Sequence, residues 1–190
     1  MTTVDVKQVV AKHIVSPKGF TAAGMHCGVK HKKKDLALLF SEVPASVAGV
    51  FTTNAIKAAP VIVTKETIYD SRTLQAVVLN SGNANACTGK QGLADAKQMQ
   101  QLVADKFMIP ANTVGVCSTG VIGQHLLMEP IIKGIQEIEL GDSVEHGVHF
   151  AEALLTTDTV MKNTAYTVMI DNKEVTIAGT AKGSGMIEPN

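Results

Sequence analysis

Apolar residues along this chain fall into short runs and one clear helical stripe. Residues 36–40 and 48–51 are brief apolar runs that predict strands, and 60–63 fits a strand or a helix equally well. Residues 75–79 form a continuous apolar run, the pattern of a buried strand, and lead directly into a turn-rich segment at 80–85. From 92 to 107 the period changes. Leu93, Ala96, Met99, Val103 and Phe107 recur at three- and four-residue steps, with Lys97, Gln98, Gln101 and Asp105 on the other faces. Pro110 ends that helix. Residues 113–117 predict another short strand, followed by a loop at 118–120. Two more helices are predicted over 128–138 and 143–155; Asp142, three residues before Glu145, suggests a variant capping box for the second. Strands at 167–170 and 174–177 flank Asp171, Asn172 and Lys173 as a hairpin turn. Strands and helices mix without a strict β-α-β rhythm. The pattern therefore predicts an α+β fold, a layered sandwich of sheets flanked by helices, rather than a doubly wound parallel sheet. No repeat or low-complexity linker divides the chain, so 1–190 reads as a single domain.

Composition narrows the partners. Lys+Arg and Asp+Glu are each 17, and this balance argues against nucleic acid or an anionic membrane, both of which are bound through excess positive charge. Trp is absent and aromatics are 4%, so the core must be built from Val, Ile, Leu, Ala and Met. Cys27, Cys87 and Cys117 form no Cys-x-x-Cys pair and fit small buried thiols in a reducing cytosol. The first 20 residues lack a signal-peptide apolar region, and Asp5 and the scarcity of Arg argue against a transit peptide. A cytoplasmic location is expected.

Several segments could carry chemistry. Thr119-Gly120 follows a predicted strand and precedes a predicted helix, where backbone N–H groups and a hydroxyl could hold a developing oxyanion. From spacing alone, a polar turn with a glycine is the commoner meaning. The segment 80–91 superficially suggests a phosphate loop, but six residues separate Gly82 from Gly89 and Gln91 stands where a hydroxyl is needed. A tightly hydrogen-bonded loop fits better. His26 and His31 match no common zinc spacing and show no nearby carboxylate partner in sequence, so no metal is assigned. Lys30 to Lys34 reads as a solvated loop. Hydroxyls in Thr156-Thr-Asp-Thr159 most often cap or end a helix. Lys182, among small residues, could bind a substrate carboxylate, though lysine is usually exposed. The glycine-rich ending at 179–190 reads either as an ordinary short terminus or as a processing site where glycine permits a strained backbone.

Six segments taken together resemble the bifunctional ornithine acetyltransferase / glutamate N-acetyltransferase family. They are Gly19-Phe-Thr-Ala-Ala-Gly-Met, Ala48-Gly-Val-Phe-Thr-Thr-Asn, Asn80-Ser-Gly-Asn-Ala-Asn-Ala, Cys117-Ser-Thr-Gly-Val-Ile-Gly, Thr156-Thr-Asp-Thr and Ala181-Lys-Gly-Ser-Gly-Met-Ile-Glu-Pro-Asn. They stand in family order without departure from its pattern. The resemblance implies the α (N-terminal) chain of a self-cleaved precursor, with the processing boundary just after Asn190. The nucleophile is then not in this chain: it is the threonine that begins an obligate β chain, whose hydroxyl attacks with its own amine as base. The implied reaction moves an acetyl group from N-acetylornithine to glutamate by a ping-pong acyl-enzyme route in arginine biosynthesis. Thr119 and Gly120 would stabilise the oxyanion, and Thr159 and Lys182 would bind substrate. No cofactor is implied, although acetyl-CoA serves some members as an alternative donor. The implied fold is two sheets sandwiched between helices and completed by the second chain, in a heterotetramer or higher oligomer of αβ units. Two other readings compete: a related self-processing aminopeptidase, and a non-catalytic small-molecule binding protein.

Overall fold

The apolar runs at 36–40 and 75–79 become the two central strands of a four-stranded sheet in the computed structural model, which describes residues 6–8 and 13–185. Strand β2 (Phe20–Met25) pairs antiparallel with β3 (Leu36–Ser46), and β3 pairs antiparallel with β4 (Thr73–Asn83). Strand β4 runs parallel to β5 (Val114–Val121), a pairing that requires a crossover; helix α2 (Gly89–Phe107) supplies it. A second sheet has the order β1-β6-β7, from β1 (Val6–Gln8), β6 (Lys162–Ile170) and β7 (Lys173–Ala181). The fold is thus mixed α+β with two sheets and flanking helices, as the mixed order of elements predicted.

Alternation along the central strands divides the core in two. Leu36 and Leu38 of β3, Ala76 and Val78 of β4, and Val114 and Val116 of β5 point to one face. There they meet Ala59 and Val63 of α1 (Ala59–Ser71), Met99 and Val103 of α2, and Ile131 and Ile135 of α3 (Met128–Glu137). Ala37 and Ala22 point the other way, against Phe150, Ala153 and Leu154 of α4 (Val144–Leu154). A strand covered on both faces reads as a continuous apolar run, and residues 75–79 have that pattern. The predicted helical stripe also held, since Ala96, Met99 and Val103 of α2 are fully buried.

Other expectations changed. Residues 48–51 form no strand: β3 has already extended, past an irregularity after Phe40, to pair Ser46 with Thr73 at the start of β4. Residues 48–51 lie beyond that pairing, and Val50 is fully exposed. The ambiguous run 60–63 lies in α1, with a proline in its first turn, where its missing N–H costs nothing. The cap of α4 is Ser143 rather than Asp142; its hydroxyl accepts from the His146 N–H. The hairpin loop is two residues, Asp171 and Asn172, both with positive φ, since Ile170 pairs directly with Lys173. Strands β1 and β2 lacked a strong apolar signal; β2 is Ala- and Gly-rich. No helix among the described residues is long and apolar enough to cross a membrane.

Candidate active site

Residues 80–83 of the segment predicted as turn-rich at 80–85, and the predicted loop at 118–120, are instead the paired parallel ends of β4 and β5, with a register shift at Gly82/Asn83. Two glycines allow this. Gly82 pairs with Gly120, and both have positive φ. A Cβ on Gly120 would fall into the backbone of Gly82 and Asn83, so the two strand ends touch without side chains. The asparagines fix the surroundings. Asn80, fully buried, donates to Asn83 O at 2.9 Å, and Asn83 donates to His125 O at 2.9 Å. Asn85 donates to Gly92 O at 2.9 Å and accepts from the Thr88 hydroxyl at 2.7 Å. The 80–85 segment is the tightly bonded structure expected of it, and Gly82 also lines a cavity.

That cavity, of about 730 Å3, opens beside the strand ends. Its walls include Lys30, Gly82, Thr119, Gly120, Thr156 and Lys182. Lys182, just beyond β7, donates through Nζ to Thr119 Oγ1 at 2.8 Å and to Thr156 Oγ1 at 3.0 Å. Thr119 therefore accepts from an ammonium, and its own O–H proton remains to be given to another acceptor. Three of the four residues singled out by sequence, Thr119, Gly120 and Lys182, come together here. Thr159 does not: it is exposed and forms no part of the wall, which takes Thr156 and Thr157 from the same segment instead. These hydroxyls do not cap α4, whose cap residue is Leu155. The boundary expected just after Asn190 lies outside the described residues.

Asp158 organises the loop behind Lys182. Its carboxylate accepts from Lys162 Nζ and from the Gly183 N–H, each at 2.6 Å, and these donors hold it well below the usual carboxylate range. Thr157 and Ser184 hydroxyls join across the same loop at 2.9 Å. The sequence offered Asp158 only as one acid in a polar run.

Asp35 organises the opposite wall. The residue is fully buried and accepts from the N–H groups of Cys27 at 2.6 Å, Gly28 at 3.2 Å and Lys30 at 2.7 Å. Burial pushes its pKa up, but these donors outweigh burial and leave it below the ordinary value. His26 does have a carboxylate partner, contrary to expectation, with Nδ1 3.1 Å from Asp35 Oδ2. Lys30 also departs from the solvated reading, since it is half-buried and donates to Leu155 O at 2.6 Å.

The thiols are poor candidates for chemistry. Burial pushes Cys117 up to about 11, and burial followed by the Asp35 charge pushes Cys27 up to about 12. Both stay protonated near neutrality and are weak nucleophiles. Cys87 is exposed rather than buried. Among the described residues no group of three His, Cys, Asp or Glu side chains could hold a metal ion. The cavity thus offers hydroxyl and ammonium donors and a glycine-lined approach, the parts of an anion- or oxyanion-binding site.

A mixed α+β fold thus carries an anion-binding cavity at the paired ends of two parallel strands. The sequence pattern of the ArgJ family matches residues 21–190, and the chain belongs to that family. It is 52% identical over 190 residues to the arginine biosynthesis bifunctional protein ArgJ of Shouchella clausii, covering 100% of this chain and 46% of the relative. It is 50% identical over 188 residues to the protein of that name from Halalkalibacterium halodurans, covering 99% of this chain and 46% of the relative. The chain spans about half the length of these curated relatives. Among solved structures, an arginine biosynthesis bifunctional protein argJ from Bacillus halodurans superposes with a TM-score of 0.96 at 49% identity, covering 100% of this chain and 99% of that one. An ornithine acetyltransferase from Mycobacterium tuberculosis, complexed with ornithine, superposes at 0.90 and 38% identity, covering 98% and 99%.

Proposed function

We propose that this chain is the N-terminal part of a cytoplasmic glutamate N-acetyltransferase that moves an acetyl group from N-acetylornithine to glutamate, and that it acts only with the remaining half of the protein. The bridge from Lys182 Nζ to Thr119 and Thr156 carries this reading, because it holds a hydroxyl proton ready beside Gly120 on a cavity wall. In the proposed reaction a threonine from the remaining half attacks the acetyl carbonyl. The carbonyl oxygen becomes an oxyanion, and Thr119 O–H, with the backbone at Gly120, stabilises it. Collapse expels ornithine and leaves the acetyl group on the threonine. The glutamate amine then attacks this ester and a second oxyanion forms at the same donors; its collapse breaks the ester C–O bond, a proton from the amine passes to the threonine oxygen, and N-acetylglutamate leaves. No cofactor takes part in this route; acetyl-CoA is a separate donor to be tried in the same assay. The exposed apolar residues Met161, Met169, Ile170 and Ile177 on and beside β6 and β7 suit burial against the remaining half, and the exposed Thr159 is assigned to substrate binding by family resemblance alone.

The direct test supplies N-acetylornithine and glutamate to the full-length protein with both halves present. Ornithine and N-acetylglutamate should appear in equal amounts. A self-processing aminopeptidase or a mere binding protein would yield neither, and that result would end the transferase reading. Within that assay, Lys182→Ala should raise the KM for N-acetylornithine by about 10-fold, the scale of one lost charge-assisted hydrogen bond. It should also lower kcat, since Thr119 loses its partner. An unmoved KM would remove Lys182 from the substrate contacts.

A further inference from the structure

Lys30 belongs to a lysine-rich loop, yet its course is set at every step. Its backbone N–H is held by Asp35 Oδ2 at 2.7 Å. Its aliphatic stem passes over Gly82, where a Cβ would stand 2.9 Å from Lys30 Cγ, so a glycine at 82 leaves room for the stem. Its ammonium then donates to Lys34 O at 2.9 Å and to Leu155 O at 2.6 Å. Leu155 caps the end of α4, where carbonyls lack helical partners and partial negative charge collects. The next residue is Thr156, which shares the Lys182 ammonium with Thr119. Burial lowers Lys30 below the ordinary lysine value; Asp35 opposes this, while Lys33 and Lys182 reinforce it.

We propose that Lys30 is a positioning residue of this site: it ties the β2–β3 loop to the end of α4, and so places Thr156 and, through Lys182, the Thr119 hydroxyl. The proposal rests on the transferase reading for its effect on rate, though not for its effect on geometry. Lys30 needs no contact with substrate for this. A tether of this kind matters because displacing a catalytic group by about 1 Å can cost roughly 100-fold in rate.

The test uses the full-length protein with both halves present. Lys30→Met keeps the stem and removes the ammonium. It should lower kcat by about 10- to 100-fold per folded molecule while KM stays within about twofold. Lys30→Arg, which can still donate to both carbonyls, should recover most of the loss. An unchanged kcat would overturn the proposal, as would a raised KM at constant kcat, which would make Lys30 a substrate contact instead. The second readout is the γ-methyl resonances of Thr119 and Thr156 in threonine-labelled protein. They should shift in Lys30→Met and return in Lys30→Arg; resonances that stay in place would also overturn it. Should Lys30→Met not fold, Lys30→Gln is measured in its place. If the unaltered protein releases no ornithine, the transferase reading fails, and the methyl resonances still decide the role of Lys30.

Discussion

Thr119→Ala is expected to lower kcat by about 100- to 1,000-fold, the usual loss when one oxyanion donor is removed. KM should change little, because the donor acts on charge that exists only in the transition state. Thr119→Ser keeps a hydroxyl within reach of Lys182 and should retain most of the rate. The same substitution bears on maturation. If the precursor cleaves itself by attack of its own threonine, that step also passes through an oxyanion, and uncleaved precursor should accumulate in Thr119→Ala. Steady-state kinetics on the processed fraction, together with intact mass of the whole preparation, separates the two effects. Normal processing with an unchanged kcat would take Thr119 out of the mechanism. The structural ground for so large an effect is the 2.8 Å bond from Lys182, which occupies a Thr119 lone pair and leaves the proton to be donated.

What could be read from the sequence follows from how local each signal was. The stripe of α2 and the apolar run in β4 depend on neighbours within a few residues, and both appear where the pattern put them. The strand ends at 80–83 and 118–121 did not, because Asn, Ser and Gly favour turns locally. They stay extended only because Gly82 and Gly120 let two backbones meet. Thr119 and Lys182 were singled out, yet their contact spans 63 residues and no spacing rule links them. Lys30 was missed for the same reason in stronger form. Lysines in a row read as solvated, and only the end of α4, 125 residues away, makes this one structural. Asp35 gave almost no signal, since its donors are backbone N–H groups, which every residue carries.

Asp35 is therefore where the largest loss of stability is expected. Three backbone N–H groups and the His26 ring converge on one carboxylate that water does not reach. Asp35→Ala leaves the three backbone N–H groups without this acceptor, at about 1–3 kcal/mol for each that stays buried, while His26 Nδ1 keeps Lys33 O at 3.0 Å. A total of about 3 kcal/mol would lower Tm by roughly 6–12 °C in a domain of this size. Asp35→Asn keeps one acceptor oxygen but turns an NH2 toward donors, so it should fall between the two. Acidity should have a matching effect. Because folding lowers the pKa of Asp35, its contribution is fully present above the ordinary aspartate value near 3.8 and is lost as pH falls through the lower folded value. Melting curves from pH 7 down to about 3 should show a fall on the acid side that is shallower in Asp35→Asn. Equal acid sensitivity in both proteins would mean that other carboxylates govern it. The loop tied to Asp35 carries Lys30, so the same variant should also lower kcat in the fraction that remains folded. That links a fully buried acid to the hydroxyl of Thr119 through Lys30, Thr156 and Lys182.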